Sequence, residues 1–334
     1  CPKFLKRIFD AHPTDFVPMK ILVSGLINIE TTLRVAGFPL EYNPVNFPFF
    51  GVQSSVSGVG FNLAKALTLL GDEVRFLSLI GKEDIASQQV RTGLAQIGVD
   101  DTYILGTLDQ TPQSVILYDG SGRRQIHTDL KDIQDQTYPI ETFHKALDSC
   151  DLAVLCNINF SRGLLEAARQ KGIPIATDVH TISDLEDSYN ADFMRSAVIL
   201  FMSHENLPDA PETWARKVIK RYGNEIVVIG LGAEGLLLAV RQDQAFEHIP
   251  AANVRPVTNS IGAGDALFSA FLHTYLASGD PYLAARKAVV FASYKIGAVS
   301  AADGLLTSAE LDELYAKMGK ADRGRYFSRT EEQG

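Results

Sequence analysis

The residues best suited to chemistry lie in one run, Val257–Leu276, with the sequence VTNSIGAGDALFSAFLHTYL. After Asp265 the apolar positions Leu267, Phe268, Phe271, Leu272 and Leu276 fall on one side of a helix. Gly262-Ala263-Gly264 therefore sits at its first turn or just before it. Glycine there lets backbone N–H groups approach an anion, and the helix N-terminus adds the positive end of its dipole. A carboxylate beside an anion cradle repels the anion. Asp265 makes chemical sense as a base that takes a proton from a hydroxyl attacking phosphorus. The other reading is a capping residue beside a tight glycine turn, since aspartate is a favoured cap. Spacing alone leaves both open.

A second glycine run, Gly230-Leu231-Gly232-Ala233-Glu234-Gly235, has the spacing G-x-G-x-x-G. Dinucleotide binding needs a helix to open at those glycines. Leu236–Val240 is instead strand-like, so the glycines are expected to join two strands. Cys1, Cys150 and Cys156 lack zinc-site spacing and read as ordinary thiols of a reducing cytoplasm.

The elements that must position these residues alternate along the chain. Ile21–Ile29 reads as a strand, Asn62–Leu70 as a helix stopped by Gly71, Val74–Ile80 as a strand and Ile85–Ile97 as a helix ended by Gly98. Apolar runs at 152–156, 173–177, 198–202 and 225–229 continue the pattern. Such alternation predicts an α/β fold of parallel βαβ units with helices on both sheet faces. Residues 34–57 and 114–128 break the rhythm, the latter as two strands around an Asp-Gly turn. Both are expected to form a small β lid on a single domain over 19–318. An accessory extension would precede it at 1–18, with Met19 a candidate start, and a polar tail would follow at 319–334. A capping box, Thr307 to Glu310, opens the last predicted helix.

Of 334 residues, 46% are hydrophobic and 21% charged, as in a soluble globular protein. The formal charge of −9 gives no general attraction to nucleic acid or an anionic membrane. No run reaches the roughly 20 apolar residues of a membrane span, and the opening segment lacks the apolar core of a secretory signal.

Asn259-Ser260-Ile261-Gly262-Ala263-Gly264-Asp265 resembles the C-terminal signature of the PfkB (ribokinase-like) carbohydrate kinases, D-T-x-G-A-G-D. Ser57-Gly58-Val59-Gly60-Phe61-Asn62, followed by a helix, Leu70-Gly71, a strand and Gly81-Lys82-Glu83-Asp84, resembles the N-terminal one. The resemblance runs from about Ile21 to Leu306. It implies a three-layer α/β/α sandwich with a central, mostly parallel sheet and a small β lid. It further implies an ATP-dependent phosphotransferase, with Asp265 as catalytic base and Gly262, Ala263 and Gly264 as anion hole. Gly58, Gly60 and Asn62 match sugar-binding positions. Glu30 stands where the family usually has a substrate-binding aspartate, and Asn159 falls near another substrate contact, or else satisfies loop backbone. Gly230, Gly232, Gly235 and Ser293 fall on the nucleotide side, with Mg²⁺ expected on the phosphates.

The sequence departs from the family pattern in places. Gly230 replaces a threonine, and His204 and Leu207 replace the Asn and Glu of an N-x-x-E motif. These departures leave room for a weakened sugar- or nucleotide-binding sensor. The intact Gly262–Asp265 run favours an enzyme. A neutral sugar is the leading substrate, because Val59 stands where ribokinases often have lysine. Phe47, Phe49, Phe50 and Phe61 suggest a nucleoside as the alternative, or else form lid core. Arg123 and Arg124 either reach over the site or decorate a solvated hairpin. The family also suggests a homodimer through the lid, and a cytoplasmic protein.

Relatives often bind potassium with the aspartate that opens the C-terminal signature. Asn259 keeps an oxygen there but loses the charge, which weakens a hard cation's site. Replacing sodium by potassium in a kinase assay should therefore change kcat by less than about twofold. Many-fold stimulation would contradict this.

Overall fold

Alternate residues of the short apolar runs point to opposite sides of one sheet. Ile21 and Val23 join one hydrophobic cluster and Leu22 the other. The computed structural model describes residues 18–121, 123–298 and 303–318. Apart from Pro18, the expected extension lies outside the described residues, as does the tail.

Nine strands form the main sheet: β1 (Lys20–Ser24), β4 (Glu73–Gly81), β5 (Ile104–Leu108), β8 (Leu152–Leu155), β9 (Ile175–Asp178), β10 (Ile199–Ser203), β11 (Ile226–Gly230), β12 (Leu236–Val240) and β13 (Ala245–Ile249). Their order is β13-β12-β11-β10-β9-β8-β1-β4-β5. Pairing is parallel from β5 across to β11 and antiparallel through β12 and β13.

Helices α1 (Val59–Leu70), α2 (Ile85–Gln96), α8 (Ala263–Ser278) and α9 (Pro281–Lys295) cover one face through side chains such as Leu63, Val90, Phe268 and Phe291. The other face is covered by α3 (Ile140–Leu147), α4 (Asn159–Arg162), α5 (Leu165–Gln170), α6 (Ala191–Ser196) and α7 (Pro211–Tyr222), with Phe143, Phe160, Phe193 and Trp214 packed inward. Residues 308–318 are helical and begin with the expected capping box. The Thr307 N–H donates to Glu310 at 2.8 Å and the Glu310 N–H to Thr307 Oγ1 at 3.3 Å.

A separate four-stranded sheet, ordered β3-β2-β6-β7, comprises β2 (Asn28–Arg34), β3 (Val52–Ser57), β6 (Gln113–Tyr118) and β7 (Arg124–Asp129). The run Ile21–Ile29, expected as one strand, is therefore two. The chain leaves the main sheet after Ser24 and enters the small sheet at Asn28. The Leu26 carbonyl, freed from sheet pairing, accepts from the N–H groups of Gly60 and Phe61 at 2.9 and 3.3 Å. Phe47, Phe49 and Phe50, expected as lid core, are exposed, while Phe61 is buried in the main core. Gly230–Gly235 joins the antiparallel strands β11 and β12, as the sequence suggested, so no helix follows that glycine run.

Where α1 meets β1 the two backbones touch. A Cβ on Gly60 would lie 2.6 Å from the Gly25 carbonyl carbon, and neither backbone has room to retreat. Gly60→Ala should cost about 1–3 kcal/mol, as overpacking does, in urea unfolding. Gly163 offers the control: its Cβ would meet nothing within 4 Å and its φ is −63°. Gly163→Ala should stabilise by about 0.4–1 kcal/mol through the unfolded chain. Equal effects at the two positions would contradict the steric account.

Candidate active site

Gly262 is the N-cap of α8, with φ 75° and no side-chain cap. Asp265 lies inside the first turn, three residues further on, and does not cap the helix, which removes the capping reading of its sequence position. The first N–H groups of the helix have no earlier helical carbonyl to bond. At Gly264 a side chain would meet nothing within 4 Å, so this end of α8 opens onto free space.

The half-buried Asp265 carboxylate turns toward α1, where Asn62 Nδ2 donates to its Oδ2 at 2.7 Å. Behind Asn62 lies the end of β3. Ser57 Oγ donates to Glu30 Oε2 at 3.2 Å and also stands 3.5 Å from Asn62 Oδ1. Gly58, with φ 105°, links Ser57 to α1. A single line of polar groups thus runs from Glu30 on β2, through Ser57 and Asn62, to Asp265 on α8. Beside it Asn28 Nδ2 donates to Ser114 Oγ at 2.6 Å. Two acceptors in this patch, Glu30 Oε1 and Asn28 Oδ1, are buried with no partner. Eight other buried side-chain atoms among the described residues are likewise unpaired, so these two are open to a ligand's donors without by themselves marking a site.

Burial raises the Glu30 pKa above the ordinary glutamate value. The Ser57 hydrogen bond opposes the rise, Asp265 adds to it and Lys295 opposes it. Asp265 is likewise raised, chiefly by desolvation; the Asn62 hydrogen bond, His180 and Lys295 favour its charged form, while Asp178 disfavours it.

Three of these neighbours were not singled out in the sequence. Asp178 ends β9, and His180 follows it with φ 58°, a strained backbone for a non-glycine residue. Lys295 is fully buried at the end of α9. Its sequence signal was available: it falls four residues after Phe291 and seven after Ala288, on the buried side of the helix.

The remaining predicted site residues lie apart from this line. Asn159 Nδ2 donates to the Gln134 carbonyl at 2.9 Å, so its amide satisfies loop backbone. Ser293 Oγ accepts from the Ala252 N–H at 3.2 Å. The Gly230 carbonyl accepts from both the N–H and Nδ1 of His204 at 2.9 Å, which fixes that ring against the Gly230–Gly235 turn.

A cleft of about 590 Å³ between the small sheet and loops of the main domain is lined by Phe38, Arg123, Arg124, Gln125, Glu205 and Ser260. Arg123 pairs with Asp119 at 2.8 Å. Arg124 is not the purely solvated hairpin residue that the sequence allowed. Its Nη1 donates to Ser260 Oγ at 2.6 Å, in the loop that leads to Gly262.

Comparison with known proteins identifies the family and the fold. The pfkB family carbohydrate kinase profile matches residues 19–308. The deoxyribokinase of Salmonella typhi is 26% identical over 300 residues, covering 83% of this chain and 92% of that protein. The acarbose 7(IV)-phosphotransferase of Actinoplanes sp. is 25% identical over 263 residues, covering 78% and 86%. Among solved structures, the microbiome-derived acarbose kinase Mak1 superposes with a TM-score of 0.81 at 24% identity, over 90% of this chain and all of that one. Arabidopsis thaliana ribokinase, complexed with ribose and ATP, gives a TM-score of 0.72 at 17% identity, over 90% and 99%. The fold is thus ribokinase-like, and a profile match over nearly the whole described chain, with both glycine signatures in place, makes this chain a member of the pfkB family of carbohydrate kinases.

Proposed function

We propose that the chain transfers the γ-phosphoryl group of ATP to a hydroxyl of a small neutral sugar, with Asp265 as general base. The observation that carries this reading is the line Glu30–Ser57–Asn62–Asp265, which leads from two unpaired buried acceptors to the open N-terminus of α8. Glu30 Oε1 and Asn28 Oδ1 suit sugar hydroxyls, which donate hydrogen bonds. A sugar phosphate would bring a dianion against Glu30 and Asp265. The relatives named for deoxyribose and acarbose support a sugar acceptor.

With Asn62 on Oδ2, the other oxygen of Asp265 is left for the attacking hydroxyl. The carboxylate takes the proton as the oxygen attacks phosphorus, and the raised pKa makes Asp265 a stronger base than an ordinary aspartate. The N–H groups at the start of α8, around Gly262 and Gly264, stabilise charge on the transferring group, while that of Ala263 donates to the Ser260 carbonyl at 3.2 Å. Arg124, held by Ser260, adds a cation at the mouth of the cleft. Gly230, Gly232 and Gly235 shape the nucleotide side. The small sheet acts as a lid that excludes water during transfer, and its exposed Val115 and Ile126 suit a homodimer contact. Magnesium supplies charge neutralisation on the nucleotide phosphates in such reactions. Among the described residues no group of three or more His, Cys, Asp or Glu is placed to hold an ion, so no protein ligand is assigned to it.

ATP consumption should be faster with fructose, ribose or deoxyribose than with adenosine or fructose 6-phosphate. A clear preference for the phosphorylated sugar would refute the neutral-acceptor reading.

Asp265→Asn should lower kcat by about 10²–10⁴ with a modest change in KM. The asparagine Oδ1 can still accept from Asn62. Folding raises the Asp265 pKa, so the ionised group costs stability at neutral pH; that cost shrinks as pH falls through the folded value and is gone below the ordinary value of 3.8. The variant's Tm at pH 7 should therefore not drop. Near-normal turnover would exclude Asp265 as the base.

Activity of the unaltered protein should fall on acidification, as Asp265 takes up its proton. The midpoint of kcat/KM should lie above the ordinary aspartate value of 3.8. A midpoint at or below that value would show the carboxylate to be unperturbed.

A further inference from the structure

One face of the small sheet carries three kinds of side chain in successive rows. Strand register sets Glu30, Ser114 and Thr128 side by side, then Thr32, Ile116 and Ile126, then Arg34, Tyr118 and Arg124. Residues two apart on a strand share a face. The Ser114 hydroxyl donates to Thr128 Oγ1 at 3.3 Å, as neighbours on one face can. Glu30, Ile116 and Arg124 therefore point the same way from one hydrogen-bonded sheet.

Two of these rows end on the same dipeptide of the main domain. Ile116 and Ile261, 2% and 6% exposed, form a hydrophobic cluster apart from the two that flank the main sheet. Beside it Arg124 Nη1 donates to Ser260 Oγ at 2.6 Å, across 136 positions of chain. Ser260-Ile261 leads straight into Gly262, the N-cap of α8. The residues just before it are held by the main domain instead. The N–H groups of Thr258 and Asn259 donate to the Ile296 carbonyl at 2.8 and 3.1 Å, and Thr258 Oγ1 to that of Gly297 at 3.0 Å. One end of the loop is thus tied to α9 and its following turn, and the other to the small sheet.

The hairpin that carries Arg124 does not need this bond for its own fold. Asp119 closes the turn by accepting from the Ser121 hydroxyl at 2.6 Å and from Arg123 Nε at 3.0 Å. Arg124 reaches past that turn to a loop whose next residues begin the anion cradle.

We propose that Arg124 is a positioning residue that acts through Ser260. Their bond is a latch that sets the start of α8 when the small sheet lies on the main domain. The same sheet holds Glu30 and Asn28, so the cradle is set in the state that also holds an acceptor. ATP arriving without an acceptor meets a cradle not yet fixed, which limits its loss to water. The assignment rests on the kinase reading, but the state of the loop can be measured without turnover.

The test compares Arg124→Ala, Ser260→Ala, the double variant and Ser260→Thr in the full chain. Each alanine variant should lower kcat with a sugar acceptor by about 5- to 20-fold, as loss of one charge-assisted hydrogen bond does. The KM for ATP should stay within about twofold, because the latch touches the loop and not the nucleotide. The double variant should be no slower than Arg124→Ala alone, since both changes remove one bond. Ser260→Thr keeps the hydroxyl and should restore most of the rate. Hydrogen exchange of the segment 257–264 should be faster in both alanine variants, with no fall in Tm, because the opening is local. Additive losses, or a raised KM for ATP in Arg124→Ala with Ser260→Ala unaffected, would overturn the latch and make Arg124 a direct phosphate ligand. Unchanged kcat and exchange would overturn it in favour of a solvated hairpin residue. An unaltered protein that consumes no ATP with any acceptor would count against the kinase reading, and the exchange comparison would still decide the latch.

Discussion

At Gly60 the first turn of α1 lies against the backbone of Gly25 so closely that no side chain fits on either residue. That contact fixes where α1 begins relative to the end of β1. It therefore fixes Asn62, half a turn later, relative to α8 on the same face of the sheet. The same approach frees the Leu26 carbonyl to hold two helix N–H groups while the chain crosses into the small sheet and delivers Glu30. One steric limit thus sets the distance between a residue on the small sheet and a residue on the main domain. A looser junction would leave Asn62 unable to reach Asp265 at hydrogen-bond length.

Electrostatics then act on that geometry. Glu30 and Asp265 would repel one another directly, and the groups between them are a hydroxyl and an amide. Ser57 donates to one carboxylate and Asn62 to the other, so each carboxylate keeps a neutral donor. A cation in either place would have held its carboxylate low and made a poorer base. The buried Lys295 also favours the charged form of both carboxylates. Neutral donors thus hold both carboxylates in place.

Much of this was legible in the sequence because it is local. The apolar runs are continuous, as strands buried on both faces require; they alternate with helical segments, and the main sheet follows them closely. Gly262–Asp265 announces a helix start, and the strand-like Leu236–Val240 announces that the second glycine run joins two strands. What could not be read is set by tertiary contact. Ile21–Ile29 is interrupted only by Ser24-Gly25 and Asn28, a break too short to read as the end of a strand, although the chain changes sheets there. The capping and proton-accepting readings of Asp265 separate only when the cap is seen to be Gly262. Arg124 reads as a turn residue until Ser260, 136 positions later, is found at its tip. Phe47, Phe49 and Phe50 carry a core composition and yet face solvent, because the residues between Gly37 and Val52 form no strand to bury them.

The bond between Asn62 and Asp265 joins residues 203 positions apart. A ribosome adding roughly 5–20 residues per second needs about 10–40 s to cover that interval. Throughout it the nascent chain holds Glu30, Ser57 and Asn62 without α8, α9 or the cation that they bring. Two of the helices that cover one face of the sheet are also still to be made. The apolar side of β1, already synthesised, must wait for them. Release of any chain stopped short of α8 would therefore yield an open sheet with its hydrophobic face uncovered, a substrate for chaperones and proteases rather than a partial enzyme.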